Sequence, residues 1–274
     1  MRYKSELTAS LNNTARGNSN REPGVDVLHE GQYVYCIIET DEARNFGPLG
    51  IGDRGDAVTT IAYKDLSAVV SSVPMTKYVV SKKTMLAHEK VIEAVMCGYT
   101  VLPVRFYTVA PNAEDIRNLL RNRYSEFKRL IRELDNKVEL GLKCLWRDMN
   151  AIFRETEKET KAAGARGAEI KPLLDDEVGK KPAEQIIKLA LQEKKVRESE
   201  VLVQPLKRIS SDFCLNRTYG DDMLMNAAFL IDKAREKAFD SEVEQLAARY
   251  KDRIEFRYIG PAPPYSFVNI VVEQ

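Results

Sequence analysis

The chain has 274 residues, 44% of them hydrophobic, with 42 Lys and Arg against 41 Asp and Glu and a net charge of +1. That length suits about two domains of roughly 100–200 residues with real apolar cores. The balanced, interspersed charge argues against a nucleic-acid binder, which needs a basic excess or stripe. Cys36, Cys97, Cys144 and Cys214 lie far apart, and with His29 and His88 they offer no metal-ligand spacing. Each cysteine reads as a small buried hydrophobe in a reducing compartment. The start, MRYKSELTAS, lacks the apolar stretch of a signal peptide, and no apolar run reaches the ~18–20 residues of a membrane helix. A soluble cytoplasmic protein is expected, with no cofactor, metal, nucleic acid or membrane partner.

Residues 1–30 are polar, rich in Asn and Gly and without period, so they are expected to be a disordered extension. QYVYCIIET then predicts a strand, FGPLGIGDRGDAV a loop, and AVTTIAY and LSAVVSSV two strands joined by a turn at Lys64-Asp65. Ser81 opens a helix with Met85, His88, Ile92, Val95 and Met96 on one face, stopped at Gly98. TVLPVRFYTV predicts one strand, with Pro103 marking an edge or bulge. Pro111-Asn112 starts one long helix. Its first turn holds Glu114 and Asp115, where the dipole favours acid. Its stripe is Ile116, Leu119, Leu120, Phe127, Leu130, Ile131 and Leu134.

A second unit follows. KVELGLKCLW predicts a strand with Val138, Leu140, Leu142 and Cys144 on one side. Residues 150–182 read as a helix and then a variable loop. From Pro182 a helix turns Ala183, Ile186, Ile187, Ala190 and Leu191 inward. SDFCLNRT and MLMNAAFLI predict strands around a turn at Gly220-Asp221. A helix carries Phe239, Val243, Leu246, Ala247 and Tyr250, and RIEFRYIG closes the unit. The fold class is therefore α+β, with two α/β-sandwich domains. The second has the ferredoxin-like order β-α-β-β-α-β, and the first is a modified version. The expected boundaries are 31–137, 138–259 and a tail from 260 to 274.

Chemical motifs are thin. Gly50-Ile51-Gly52-Asp53-Arg54-Gly55 satisfies G-x-G-x-x-G, but a strand-like run follows where a dinucleotide site needs a helix N-terminus. A small-molecule or nucleotide-binding enzyme using Gly50–Gly55 is the alternative reading; a strand-to-strand loop is preferred. His88-Glu89 has no patterned nucleophile beside it, so His88 reads as packing. Asp175-Asp176-Glu177 are consecutive, unlike a calcium loop. MLMNAAFLI offers Phe229 alone for base stacking, too little for an RNA platform.

Three stretches carry a resemblance. They are YVYCIIE with the Gly-rich loop and DLSAVVS; HEKVIEAV with VLPVRFYTV; and NAAFLIDKAREKAFDSEVEQL ending in YIGPAPPYSFV. In this order and spacing, over about residues 32–268, the chain resembles the gas vesicle accessory family GvpF/GvpL. It departs where the family pattern has Gly at Tyr107 and Trp at Ala262. The resemblance implies a non-enzymatic protein of two α/β domains and a C-terminal tail. It implies a role in building gas vesicles, as a partner of the small hydrophobic shell protein GvpA and of other accessory proteins, or as a minor shell component. Partner binding is expected through the exposed face of Thr100–Thr108, including Pro103, Arg105 and Tyr107. Arg105 should pair with an acid or face a partner, the pair being favoured.

The tail YIGPAPPYSF holds Pro261, Pro263 and Pro264, which fix φ and remove donors. It is expected to leave the closing strand at Gly260 and cross to the first domain. Tyr265 and Phe267 should anchor it, and FVNIVV should form a short β segment. A proline-reading partner is the alternative, without a flanked P-x-x-P to support it.

Overall fold

A computed structural model describes residues 30–51, 54–75, 81–170, 183–268 and 270; for 163–170, 183 and 184 it describes the backbone. The expected extension, the loop after residue 170 and Asp175–Glu177 lie outside the described residues. The chain forms a mixed α/β structure with two antiparallel sheets.

The first sheet has the order β2-β3-β1-β4, with β5 also on β1. Its strands are β1 (Glu30–Glu39), β2 (Thr59–Tyr63), β3 (Leu66–Pro74), β4 (Leu102–Pro103) and β5 (Val109–Ala110). β1 and β3 are buried along most of their length because helices cover both faces. In the β1–β3 pairing Val34 faces Val70 and Cys36 faces Val69, so Tyr35 is an extra, bulged residue. The bulge sends Tyr33, Tyr35, Cys36 and Ile38 to one core and Val34 and Ile37 to the other.

Helix α1 (Lys82–Met96) covers the tyrosine-bearing face with Val91, Ile92 and Val95. Ser81 caps it reciprocally with Thr84. Met85, expected on the inner face, is exposed, and Val91 takes the inner place. The opposite face meets α2 (Ala113–Asn122) and α3 (Tyr124–Leu134). These replace the single helix expected from the unbroken stripe. At Arg123 (φ −109°, ψ 18°) the axis breaks, so two short helices follow a twisted sheet that one straight rod would leave. Arg123 holds the corner through Glu126 and by lying 4.8 Å over the Phe127 ring. The single strand expected over TVLPVRFYTV is likewise two short pieces, β4 and β5, separated by a turn at Phe106-Tyr107.

The second sheet has the order β7-β8-β6-β9. Its strands are β6 (Lys137–Trp146), β7 (Asp212–Leu215), β8 (Met223–Asp232) and β9 (Ile254–Ala262). Val138, Leu140, Leu142, Cys144 and Trp146 point to one face, where α4 (Met149–Ile170), α5 (Ala183–Lys207) and α6 (Glu236–Arg249) close the core. In α5, Ile186, Ile187 and Ala190 are half-buried; the anchors are Leu191, Leu202, Val203 and Leu206. β9 does not end at Gly260. Ile259 faces Gly141 and Ala262 faces Glu139, so Gly260 and Pro261 together oppose Leu140 in a bulge. An edge strand tolerates that proline. Gly260 is needed there: φ is 133°, and a Cβ would sit 2.9 Å from the Glu139 carbonyl oxygen.

Candidate functional site

β4 closes one edge of the first sheet. Pro103 pairs with Cys36 and is buried, its missing N–H costing no ladder bond at an edge. The Val104 N–H donates to the Tyr35 carbonyl at 3.0 Å. Arg105 is exposed. Among the described residues it makes no ion pair, so the acid partner favoured from sequence is not found; its N–H donates to the Ile270 carbonyl at 3.3 Å. Tyr107 is half-buried at φ 72°, a conformation that favours glycine. Its N–H donates to the Tyr33 hydroxyl at 3.0 Å, and Thr108 Oγ1 donates to the Arg105 carbonyl at 2.7 Å. Pro103 inward, Arg105 outward and Tyr107 between do not share one exposed face. The structure instead brings Arg105 together with the tail.

After Ala262 the chain turns. The Tyr265 N–H donates to the Pro263 carbonyl, and the N–H groups of Phe267 and Val268 donate to that of Pro264. Glu139, on the face of β6 opposite Val138, Leu140 and Leu142, grips this turn. Its carboxylate accepts from Ser266 N–H and from Ser266 Oγ, both at 2.7 Å. Burial pushes the Glu139 carboxyl above its ordinary range, and the two Ser266 bonds oppose that shift. Cys214 Sγ points to the Ser266 carbonyl from β7. Beyond the turn, Val268 and Ile270 enter the core of α2, α3 and the first sheet, where Leu230 of β8 joins them. Ile270 forms a parallel bridge with Val104. Tyr265 stays 38% exposed and Phe267 half-buried. The deepest tail contacts are Pro263, Pro264, Val268 and Ile270. Glu139 gave no sequence signal beyond being an acid in an apolar run.

Behind this edge lies an aromatic cluster. His88 of α1 is 2% exposed. Its ring stacks on Tyr35 and stands edge-on to Tyr33 and Phe106. The Tyr33 hydroxyl accepts from Tyr107 and lies 3.1 Å from His88 Nδ1. Among the described residues the buried Nε2 has no hydrogen-bond partner, so the one polar contact of the ring is at Nδ1. Burial lowers the His88 pKa from 6.5 to about 4.

Elsewhere the polar chemistry is structural. Gly50 sits where a Cβ would lie 2.6 Å from the Asp56 carbonyl oxygen, and Ile51 N–H donates to the Tyr35 hydroxyl at 2.6 Å. β2 follows this loop where a phosphate site needs a helix. In the second unit Arg253 binds Glu155 in bidentate fashion and also Glu198, while Lys194, 4% exposed, meets Glu155, Glu159 and Glu198. The Arg253 hydrogen bonds hold the Glu155 carboxyl at about 2. Among the described residues no cluster of His, Cys, Asp and Glu could hold a metal, and no helix is long and apolar enough to cross a membrane.

A family model described as gas vesicle synthesis protein GvpL/GvpF matches residues 31–269. The chain belongs to this family. Gas vesicle protein F of Microcystis aeruginosa is 28% identical over 88% of this chain and 99% of its own length. Gas vesicle protein F1 of Halobacterium salinarum is 26% identical over 89% and 95%. The crystal structure of GvpF from Microcystis aeruginosa superposes with a TM-score of 0.72 at 27% identity, covering 86% of this chain and 98% of that one. The GvpF structure from Anabaena sp. PCC7120 gives 0.72 at 24% identity, covering 89% and 100%, which bears on the fold. Membership of GvpL/GvpF supports a gas-vesicle-related role.

Proposed function

We propose that this GvpL/GvpF protein is a non-enzymatic accessory factor that binds the small hydrophobic shell protein GvpA and helps build the gas vesicle wall, in the cytoplasm and at the vesicle. The observation that carries the reading is the family match across residues 31–269. A shell subunit destined to face gas exposes apolar surface before it is assembled, and such surface aggregates. A soluble partner with an apolar sheet edge can hold an extended segment through main-chain hydrogen bonds and side-chain slots. The β4 edge, with Pro103, Arg105 and Tyr107 around it, is the proposed contact region, and Arg105 is its exposed residue. Other gas vesicle accessory proteins are the further proposed partners. The test is capture of GvpA by the full-length tagged chain, with an unrelated α/β protein as control. Specific, saturable capture is expected; its absence overturns the proposal.

A further inference from the structure

We propose that the outer edge of β4 and the aliphatic slot beneath it form a strand-acceptor site, occupied at rest by Val268 and Ile270 and open to exchange with an extended apolar segment of the shell subunit. This deepens the shell-protein reading above and rests on it.

The tail divides into a fixed and a replaceable part. Pro263 to Ser266 are fixed: the prolines are buried, and Glu139 holds Ser266 by two 2.7 Å hydrogen bonds. Past that point the attachment changes in kind. Among the described residues, one main-chain hydrogen bond joins tail and edge, Arg105 N–H to Ile270 O at 3.3 Å, beside one parallel bridge at Val104. The rest is burial of two aliphatic side chains, Val268 and Ile270, in a core built with α2, α3, β1, β3, β4, β5 and Leu230. Any strand with the same alternation can make that contact, because the slot reads apolar shape and not sequence.

The seated tail also defines the occupant. It must run parallel to β4 and present aliphatic residues at positions i and i+2, one strand period apart. Arg105 stands exposed at the rim without an ion pair among the described residues. A carboxylate flanking the aliphatic pair would therefore be favoured, chiefly through specificity and encounter rate. Holding the edge with its own tail keeps the chain from pairing edge to edge with a second copy.

Two arms test this with the full-length chain. In the first, a labelled synthetic peptide of residues 265–274 is titrated against Ile270→Asp and against the unaltered protein, with Val268→Ala/Ile270→Ala as the milder variant and circular dichroism to confirm folding. Binding to the vacated edge at least roughly tenfold tighter than to the unaltered protein is expected. In the second, Val104→Cys/Ile270→Cys, bridge partners within disulfide reach, is closed with oxidised glutathione and reopened with dithiothreitol. GvpA binding should fall at least roughly tenfold on closure and return on reduction. Equal GvpA binding in both redox states, or no peptide binding to either folded variant, overturns the inference. Peptide binding with no GvpA binding to any form removes GvpA as the occupant and the proposed function with it. Peptide and GvpA binding with no effect of the lock leaves the proposed function standing and sinks the exchange.

Discussion

His88 should make the protein lose stability in mild acid. Its ring is enclosed by Tyr33, Tyr35 and Phe106, with Nδ1 3.1 Å from the Tyr33 hydroxyl and only 2% of the residue exposed. The imidazole keeps its neutral form down to about pH 4, whereas the unfolded chain takes up the proton near 6.5. Between those values the unfolded state binds more protons than the folded one, so stability falls as pH falls. The full gap corresponds to about 3 kcal/mol, a large share of a typical ~5–15 kcal/mol total. His88→Phe removes the titration and leaves the Tyr33 hydroxyl without its hydrogen bond to the ring, at a cost of about 1 kcal/mol near pH 7.5. Urea unfolding of both proteins from pH 7.5 to 4.5 reads the difference. The variant should start less stable and overtake the unaltered protein on acidification. Parallel curves would show that His88 is charged or solvated in the folded state, and the enclosed neutral ring would be wrong. His29, the second histidine, is common to both proteins and cancels.

Other consequences are equally direct. Glu139→Ala leaves the Ser266 N–H and hydroxyl unpaired beside the tail and should cost about 1–3 kcal/mol, read as a lower melting temperature; an unchanged melt would mean the turn holds without its grip. Arg253→Ala removes its hydrogen bonds to Glu155 and Glu198, which keep Lys194, and should cost about 1–2 kcal/mol at neutral pH, a figure reduced because these side chains are partly exposed. Glu155, held at about 2 against an ordinary 4.5, contributes stability above 4.5 that is lost as pH falls toward 2, and Arg253→Ala should flatten that part of the acid-unfolding curve. Gly50→Ala forces a Cβ to 2.6 Å from the Asp56 carbonyl oxygen and should cost about 1–3 kcal/mol in a chemical-denaturation midpoint.

Local pattern carried much of the architecture. β1, β3 and β8 are legible as β-branched and aromatic runs, and α6 as the stripe Phe239, Val243 and Leu246. What local pattern could not carry was interruption. The stripe through Ile116, Leu120, Phe127 and Ile131 keeps its helical spacing across Arg123, because both short helices bury the same face. The break in TVLPVRFYTV depends on Tyr107 adopting φ 72°, made tolerable by a hydrogen bond to Tyr33, which is far away in sequence. The grip of Glu139 on Ser266 spans 127 positions and has no periodic signature. His88 reads as packing, but the polar contact of its ring is with Tyr33, which also accepts from Tyr107, and only the fold brings these three together.

The threading of Val268 and Ile270 into the first unit has a consequence for synthesis. Residues are added at about 5–20 per second, so the stretch between Val104 and Ile270 takes on the order of ten seconds or more to make. Throughout that interval β4 exists while its companions in the slot do not. The nascent first unit therefore leaves the ribosome with a notch in its core and an uncovered strand edge. A chaperone, or a shell subunit translated nearby, would meet that notch before the chain's own residues arrive to fill it.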